Sequence, residues 1–220
     1  MKFIYRIGLL AFVFAMGNKS FAQKQLSEGV VTYNIAIESS SNAIGNNLTG
    51  AQLVISLKPT LSRSDMTSSL GTETTVYDNQ KGKGFILREY SGQKLMITAT
   101  KENWAQKNQW NDNLKFTIDP AIVSMGGYDC KKATATMQDG KTFNIYFTPD
   151  ITIANRQYNN SFDQLPGLPV QYEIKSGNLT FKYTLSKVSY EAVASAKFEE
   201  PRTGYRVMTY EENQQLKKGN

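Results

Sequence analysis

The sequence predicts a mainly β protein: one strongly curved antiparallel sheet of about ten or eleven strands, with one to three short helices. Three observations lead there. Apolar residues recur at every second position through much of the chain, the period of a strand with one buried and one wet face. Ser-Gly, Asp-Gly and Ser-Gly-Asn clusters separate these runs at hairpin spacing. Segments with helical period are few.

The chain begins with Lys2 and Arg6, a short apolar run from Gly8 to Met16, then Ser20-Phe21-Ala22 before Gln23. This is the pattern of a secretory signal cut between Ala22 and Gln23. The apolar run is about half the ~20 residues that a membrane span needs. It predicts export to the periplasm or beyond, and a single domain over residues 23–220. The single Cys of the chain, Cys130, is far from the cut, so lipidation there is not expected. No later segment approaches ~18 uninterrupted apolar residues, so no integral helical span is expected once the signal is removed.

Four strands read clearly. Val31, Tyr33, Ile35 and Ile37 alternate with polar or small residues, as do Leu53, Ile55 and Leu57. Phe143, Ile145 and Phe147 follow the same pattern, and so do Leu179, Phe181, Tyr183 and Leu185. Weaker strands fit residues 60–68, 72–78, 84–90, 93–99, 114–118, 128–137 and 168–175. Ser91-Gly92, Asp139-Gly140 and Ser176-Gly177-Asn178 are hairpin turns between them, and Asp-Gly suits a tight turn with positive φ. Residues 39–50 are rich in Ser, Asn and Gly and read as a loop or a poorly formed helix. Asp119-Pro120 reads as an N-cap followed by Pro at the first helical position, predicting one or two helical turns through Met125, stopped by Gly126-Gly127. Thr209 to Lys217 predicts a terminal helix.

Composition excludes several chemistries. The chain has no His and one Cys. A Ser-His-Asp or Cys-His arrangement cannot be built, and neither can a His or multi-Cys metal site. Removing residues 1–22 deletes Lys2, Arg6 and Lys19 and no acid, leaving 22 basic against 19 acidic residues, net +3. That is weak support for nucleic acid as a partner. Asp78-Asn79-Gln80-Lys81-Gly82 and Asn111-Asp112-Asn113 are turn chemistry, not complete calcium loops. Cys130 precedes Lys131 and Lys132, which would favour thiolate, but a small side chain packed in a sheet is the better reading. No catalytic residue, metal ligand or cofactor is expected, and the protein reads as a non-enzyme.

An alternating sheet has one apolar face to cover, and little helix is available to cover it. The sheet must curl on itself, wrap a small plug, or leave an apolar cavity where a hydrophobic molecule could bind. A filled interior and a ligand-holding one both stay open. The candidate lining is Tyr33, Ile35, Ile37, Phe143, Ile145, Phe147, Phe181, Tyr183 and Leu185. Trp104 and Trp110, in a polar stretch, are candidate partner contacts. So are Leu165 and Leu168, which can equally plug the apolar face.

Three segments look familiar together: Met125-Gly126-Gly127-Tyr128-Asp129-Cys130-Lys131-Lys132-Ala133, then Ile145-Tyr146-Phe147-Thr148-Pro149-Asp150-Ile151, then Leu165-Pro166-Gly167-Leu168-Pro169-Val170. They resemble the GLPGLI-like envelope proteins of unknown function secreted by Bacteroidetes-type bacteria. The architecture is similar to the LolA/LolB-like lipoprotein carriers. Gln164 before Leu165 and Pro169-Val170 after Leu168 depart from the GLPGLI pattern. The resemblance implies a curved half-barrel whose concave apolar face holds a lipid or the acyl chains of a lipoprotein. It supplies no catalytic residue. The expected function is thus an envelope protein that binds a hydrophobic ligand. The alternative is a structural or protein-interaction module with a filled core.

Overall fold

The computed structural model describes residues 23–39, 50–109 and 114–218. The signal-like segment, residues 40–49 of the 39–50 stretch read as a loop or a poorly formed helix, and Trp110 lie outside these residues. The strands are β1 (Lys24–Leu26), β2 (Gly29–Ser39), β3 (Ala51–Leu57), β4 (Leu61–Ser68), β5 (Gly71–Asp78), β6 (Lys83–Tyr90) and β7 (Gln93–Thr100). They continue as β8 (Lys115–Met125), β9 (Tyr128–Thr136), β10 (Thr142–Thr148), β11 (Ile151–Ile153), β12 (Leu168–Ser176), β13 (Leu179–Ser189) and β14 (Arg206–Thr209). Among the described residues two α-helices accompany them, α1 (Lys101–Asn108) and α2 (Tyr210–Lys218).

Twelve strands form one sheet in the order β14-β7-β6-β5-β4-β3-β2-β13-β12-β10-β9-β8. All its pairings are antiparallel except β14 on β7. The mainly β, mainly antiparallel reading holds, with more strands than expected and with parallel exceptions. β1 and β11 pair separately and in parallel. The sheet is not a plain meander, because β13 returns to lie beside β2. The β3–β4, β4–β5, β5–β6, β6–β7, β8–β9, β9–β10 and β12–β13 adjacencies follow from short turns, which leave those consecutive strands no option but antiparallel pairing. At Ser91-Gly92 both residues have positive φ, 51° and 78°, the geometry of a two-residue primed turn. The Asp139-Gly140 turn is looser. Only Gly140 has positive φ, and Gly140 N–H donates to the Met137 carbonyl at 3.0 Å, so the loop is a type I turn closed by a glycine bulge.

Residues 119–125 depart from expectation. Asp119-Pro120 opens no helix there; it sits in β8 at a register break between Ile118 and Ile122. Gly126 and Gly127, at φ 58° and 82°, make the two-residue turn that sends β8 back against β9. The Asp119 carboxylate does cap locally, accepting from Ala121 N–H at 2.9 Å. Pro120 is tolerated because β8 is the last strand of the sheet, where a missing N–H costs no ladder bond.

The inward face is covered by two different segments of the chain, and the outward face only over β5–β7. The inward face carries Val31, Tyr33 and Ile35 on β2. It is filled by β1, β11 and the 3-10 turns Arg156–Tyr158 and Asn160–Phe162 that lead into Leu165 and Leu168. Asn155 pins this segment. Its side-chain amide donates to the Lys58 and Leu61 carbonyls at 3.2 Å each and accepts from Asn79 at 2.6 Å. Over β6 and β7 the inward face is closed by the C-terminal end of the chain, where Tyr210 packs with Ile86, Ile97 and Met208. The outward face of β5–β7 is covered by a strap of irregular chain, residues 190–205. Its Val193, Phe198 and Tyr205 pack on Val76, Phe85, Leu87 and Met96. β6 is therefore buried on both faces, which explains why Phe85-Ile86-Leu87 is a continuous apolar run.

Candidate binding surface

The inward face is built in register rows. Ile35, Tyr183, Tyr172, Ile145 and Ala133 lie side by side across β2, β13, β12, β10 and β9. All five are buried. Tyr172 stacks on Tyr183 with centroids 4.6 Å apart and planes 6° apart. Tyr33 and Phe162 meet Tyr172 edge-on, at 5.8 and 4.8 Å. The Tyr33 hydroxyl donates to the Pro169 carbonyl at 2.8 Å, which satisfies a group that has no access to water. Burial pushes the Tyr33, Tyr172 and Tyr158 phenols far above their ordinary value, so they stay neutral at any physiological pH.

This part of the face is packed, not hollow. The cavity beside Ile153, Tyr158, Phe162 and Leu165 measures about 10 Å³, the room of roughly one water. Larger clefts of about 360 and 450 Å³ lie elsewhere, beside β14 and α2 and beneath the 190–205 strap. None of the nine candidate lining residues borders these three spaces. Tyr33, Ile35, Ile145, Phe147, Tyr183 and Leu185 sit inside the core. Ile37, Phe143 and Phe181 are half-buried against it.

Those three stand at one end of the inward face. Ile37 pairs with Phe181 and Phe181 with Ile174, one row beyond the tyrosine stack. Phe143 follows on β10, opposite Ala135. Ile174 shares its side of β12 with buried Tyr172, yet 44% of it is exposed. The apolar surface thus runs past the end of the plug. Ile174 and Tyr172 belong to this face although the candidate lining omits them. The signal was present: Leu168, Val170, Tyr172 and Ile174 alternate in the sequence.

The other candidates fall apart in space. Leu165 and Leu168 are buried at 1% and 0% exposure and fill the core. Trp104 lies on α1, stacked flat on Tyr77 at 4.2 Å with the Lys107 ammonium 5.4 Å from its ring. Thr100 caps this helix: its hydroxyl accepts from Asn103 N–H while the Asn103 side chain accepts from Thr100 N–H. Cys130 is buried with its sulfur near the Tyr128 and Met125 carbonyls. Burial, reinforced by Asp129 and Asp150, pushes the thiol up to about 11, so Lys131 and Lys132 do not activate it. Among the described residues no group of three or more His, Cys, Asp or Glu could hold a metal ion, and no helix is long and apolar enough to cross a membrane.

No family model matches the chain, and no curated protein matches it. The GLPGLI resemblance therefore stands on its three motifs alone. Two solved structures of PNGF-II are similar to it at 10% and 9% identity, with TM-scores of 0.48 and 0.46. They cover 86% and 84% of this chain but 33% and 32% of theirs, so the chain spans about a third of the length of PNGF-II. LprF from Mycobacterium bovis is similar at 9% identity and TM-score 0.35, covering 76% of this chain and 88% of that one. Likeness at this level says nothing about function.

Proposed function

We propose that the protein is a non-enzymatic binding module of the bacterial envelope, exported by its N-terminal signal. It engages a hydrophobic group on the open end of its inward face. One observation carries this reading. Ile174 is 44% exposed on the face that elsewhere forms the core, flanked by half-buried Ile37, Phe181 and Phe143. Neighbouring apolar side chains left in water favour an apolar ligand. The packed tyrosine stack argues for a surface shelf rather than an enclosed acyl-chain cavity. The lack of any histidine supports a role without acid–base catalysis near neutral pH.

Titration with the apolar fluorophore N-phenyl-1-naphthylamine tests the reading. Saturable binding is expected, weakened at least tenfold in Ile174→Lys, since an ammonium beside Phe181 must keep its water. Leu70→Lys, another exposed apolar position, is expected to bind as the parent does. Absence of saturable binding, or equal loss in both variants, would sink the shelf.

A further inference from the structure

β8 is the last strand of the sheet, and among the described residues only one of its sides is paired, to β9. Its outer edge offers free N–H and C=O groups, an arrangement that folded proteins normally guard. The guards of this edge stand at the ends of residues 115–119, Lys115 at one and Asp119 with Pro120 and the register break at the other, and none lies between them. All but Phe116 are exposed, and Ile118 is 39% exposed. Phe116 and Ile118 pair with Ala135 and Ala133 and so share the inward face. Lys115, Thr117 and Asp119 alternate onto the other side.

The five residues Lys115-Phe116-Thr117-Ile118-Asp119 are their own complement. Laid antiparallel about Thr117, Lys115 meets Asp119 of a second copy, Phe116 meets Ile118, and Thr117 meets Thr117. Opposite charges, an aromatic with a β-branched residue, and Thr with Thr are the cross-strand pairs that stabilise a sheet. Neighbouring registers fail. A slip of one residue sets Lys115 against Ile118 or Pro120, and a slip of two loses both charge pairs. Asp119 has an oxygen to spare, because only Oδ1 is used by Ala121 N–H. Lys115 has no ion pair among the described residues. Beyond Asp119 the register break and Pro120, which has no N–H, end the stretch that can pair.

We propose that the protein forms a two-fold symmetric dimer by antiparallel pairing of residues 115–119 of β8 with the same residues of a second copy, centred on Thr117. Such a pairing is isologous and closes on itself. It is independent of the hydrophobic shelf, and either can fail alone.

Sedimentation velocity from roughly 1 μM to 1 mM tests it, reading the dissociation constant directly. A monomer–dimer equilibrium is expected, weakened by about 0.5 M salt because the Lys–Asp pairs are exposed. Lys115→Glu places like charges opposite each other twice and should raise the dissociation constant by roughly tenfold. The double exchange K115E/D119K restores complementarity and should restore the dimer. Thr117→Cys should cross-link to its mate on mild oxidation, since facing Cα atoms about 4.5–5.5 Å apart lie within disulfide reach. Val207→Cys, exposed on the opposite edge strand, should not. A monomer at every concentration overturns the proposal. So does a dimer indifferent to Lys115→Glu, or one in which Thr117→Cys cross-links no faster than Val207→Cys.

Discussion

Leu165→Ala separates a filled interior from a hollow one. Leu165 is 1% exposed and lies in the segment that plugs the inward face, beside Phe162 and the 10 Å³ cavity. The substitution removes three carbons. At about 0.8 kcal/mol per buried CH₂ the transfer loss alone is about 2.4 kcal/mol. A void adds to this, because the surrounding strands are held by their ladders and cannot collapse into it, and buried Leu→Ala changes span about 2–5 kcal/mol. About 3 kcal/mol is expected, or roughly 6–12 °C in Tm for a chain of this size. Urea unfolding followed by far-ultraviolet circular dichroism and by tryptophan fluorescence gives the number. A loss below about 1 kcal/mol would mean that Leu165 is not packed. The face beneath it would then be accessible, and the nine inward residues would return as the lining of a true cavity.

Acid should loosen the 190–205 strap. Glu28 anchors its start, accepting from Val193 N–H and from Lys58 Nζ, both at 2.8 Å. The Lys58 hydrogen bond first, and the Val193 amide second, hold the Glu28 carboxyl below its usual 4.5. A depressed carboxylate stabilises the fold above its unfolded pKa, and that contribution fades as pH falls through the lower folded value. Hydrogen exchange in residues 190–205 should therefore accelerate below about pH 4.5 relative to the sheet, and Glu28→Gln should remove that dependence; an unchanged profile in Glu28→Gln would assign the anchor elsewhere. Cys130, buried and pushed to about 11, should resist a thiol reagent at pH 8 and react promptly in denaturant. Fast labelling of the folded protein would mean that the β9 end of the sheet opens.

Alternation made most of the strands legible, because a half-buried strand has only one way to place Val31, Tyr33 and Ile35 on the same side. It was silent where burial comes from elsewhere in the chain. Phe85-Ile86-Leu87 shows no alternation because the strap covers one side of β6 and the C-terminal residues cover the other. α1 was invisible for the opposite reason. Its one apolar anchor is Trp104 on Tyr77, so it lacks an apolar stripe and is held instead by the Thr100 cap and by Asn103, whose side-chain amide donates to Glu211 at 2.6 Å. At Asp119-Pro120 a local helix signal lost to a stronger constraint. Gly126-Gly127 can turn a hairpin at positive φ for both residues, and the ladder gained along β8 and β9 outweighs one or two isolated helical turns.

The candidate lining was legible as a set but not as a cavity. Periodicity says which side chains share a face and nothing about what lies above them. Here the cover is the irregular segment between β11 and β12, whose Leu165-Pro166-Gly167-Leu168 is too short and too rigid to announce itself as a core element. Gly167 shows how tightly it sits: a Cβ there would lie 2.2 Å from the Thr148 carbonyl oxygen. A plug fitted that closely to β10 leaves no depth for an acyl chain beneath it. The proposed binding therefore falls where the plug stops, at Ile174 and Phe181. The deep residues instead hold the shelf rigid, as Tyr172 on Tyr183 fixes the strands that present it.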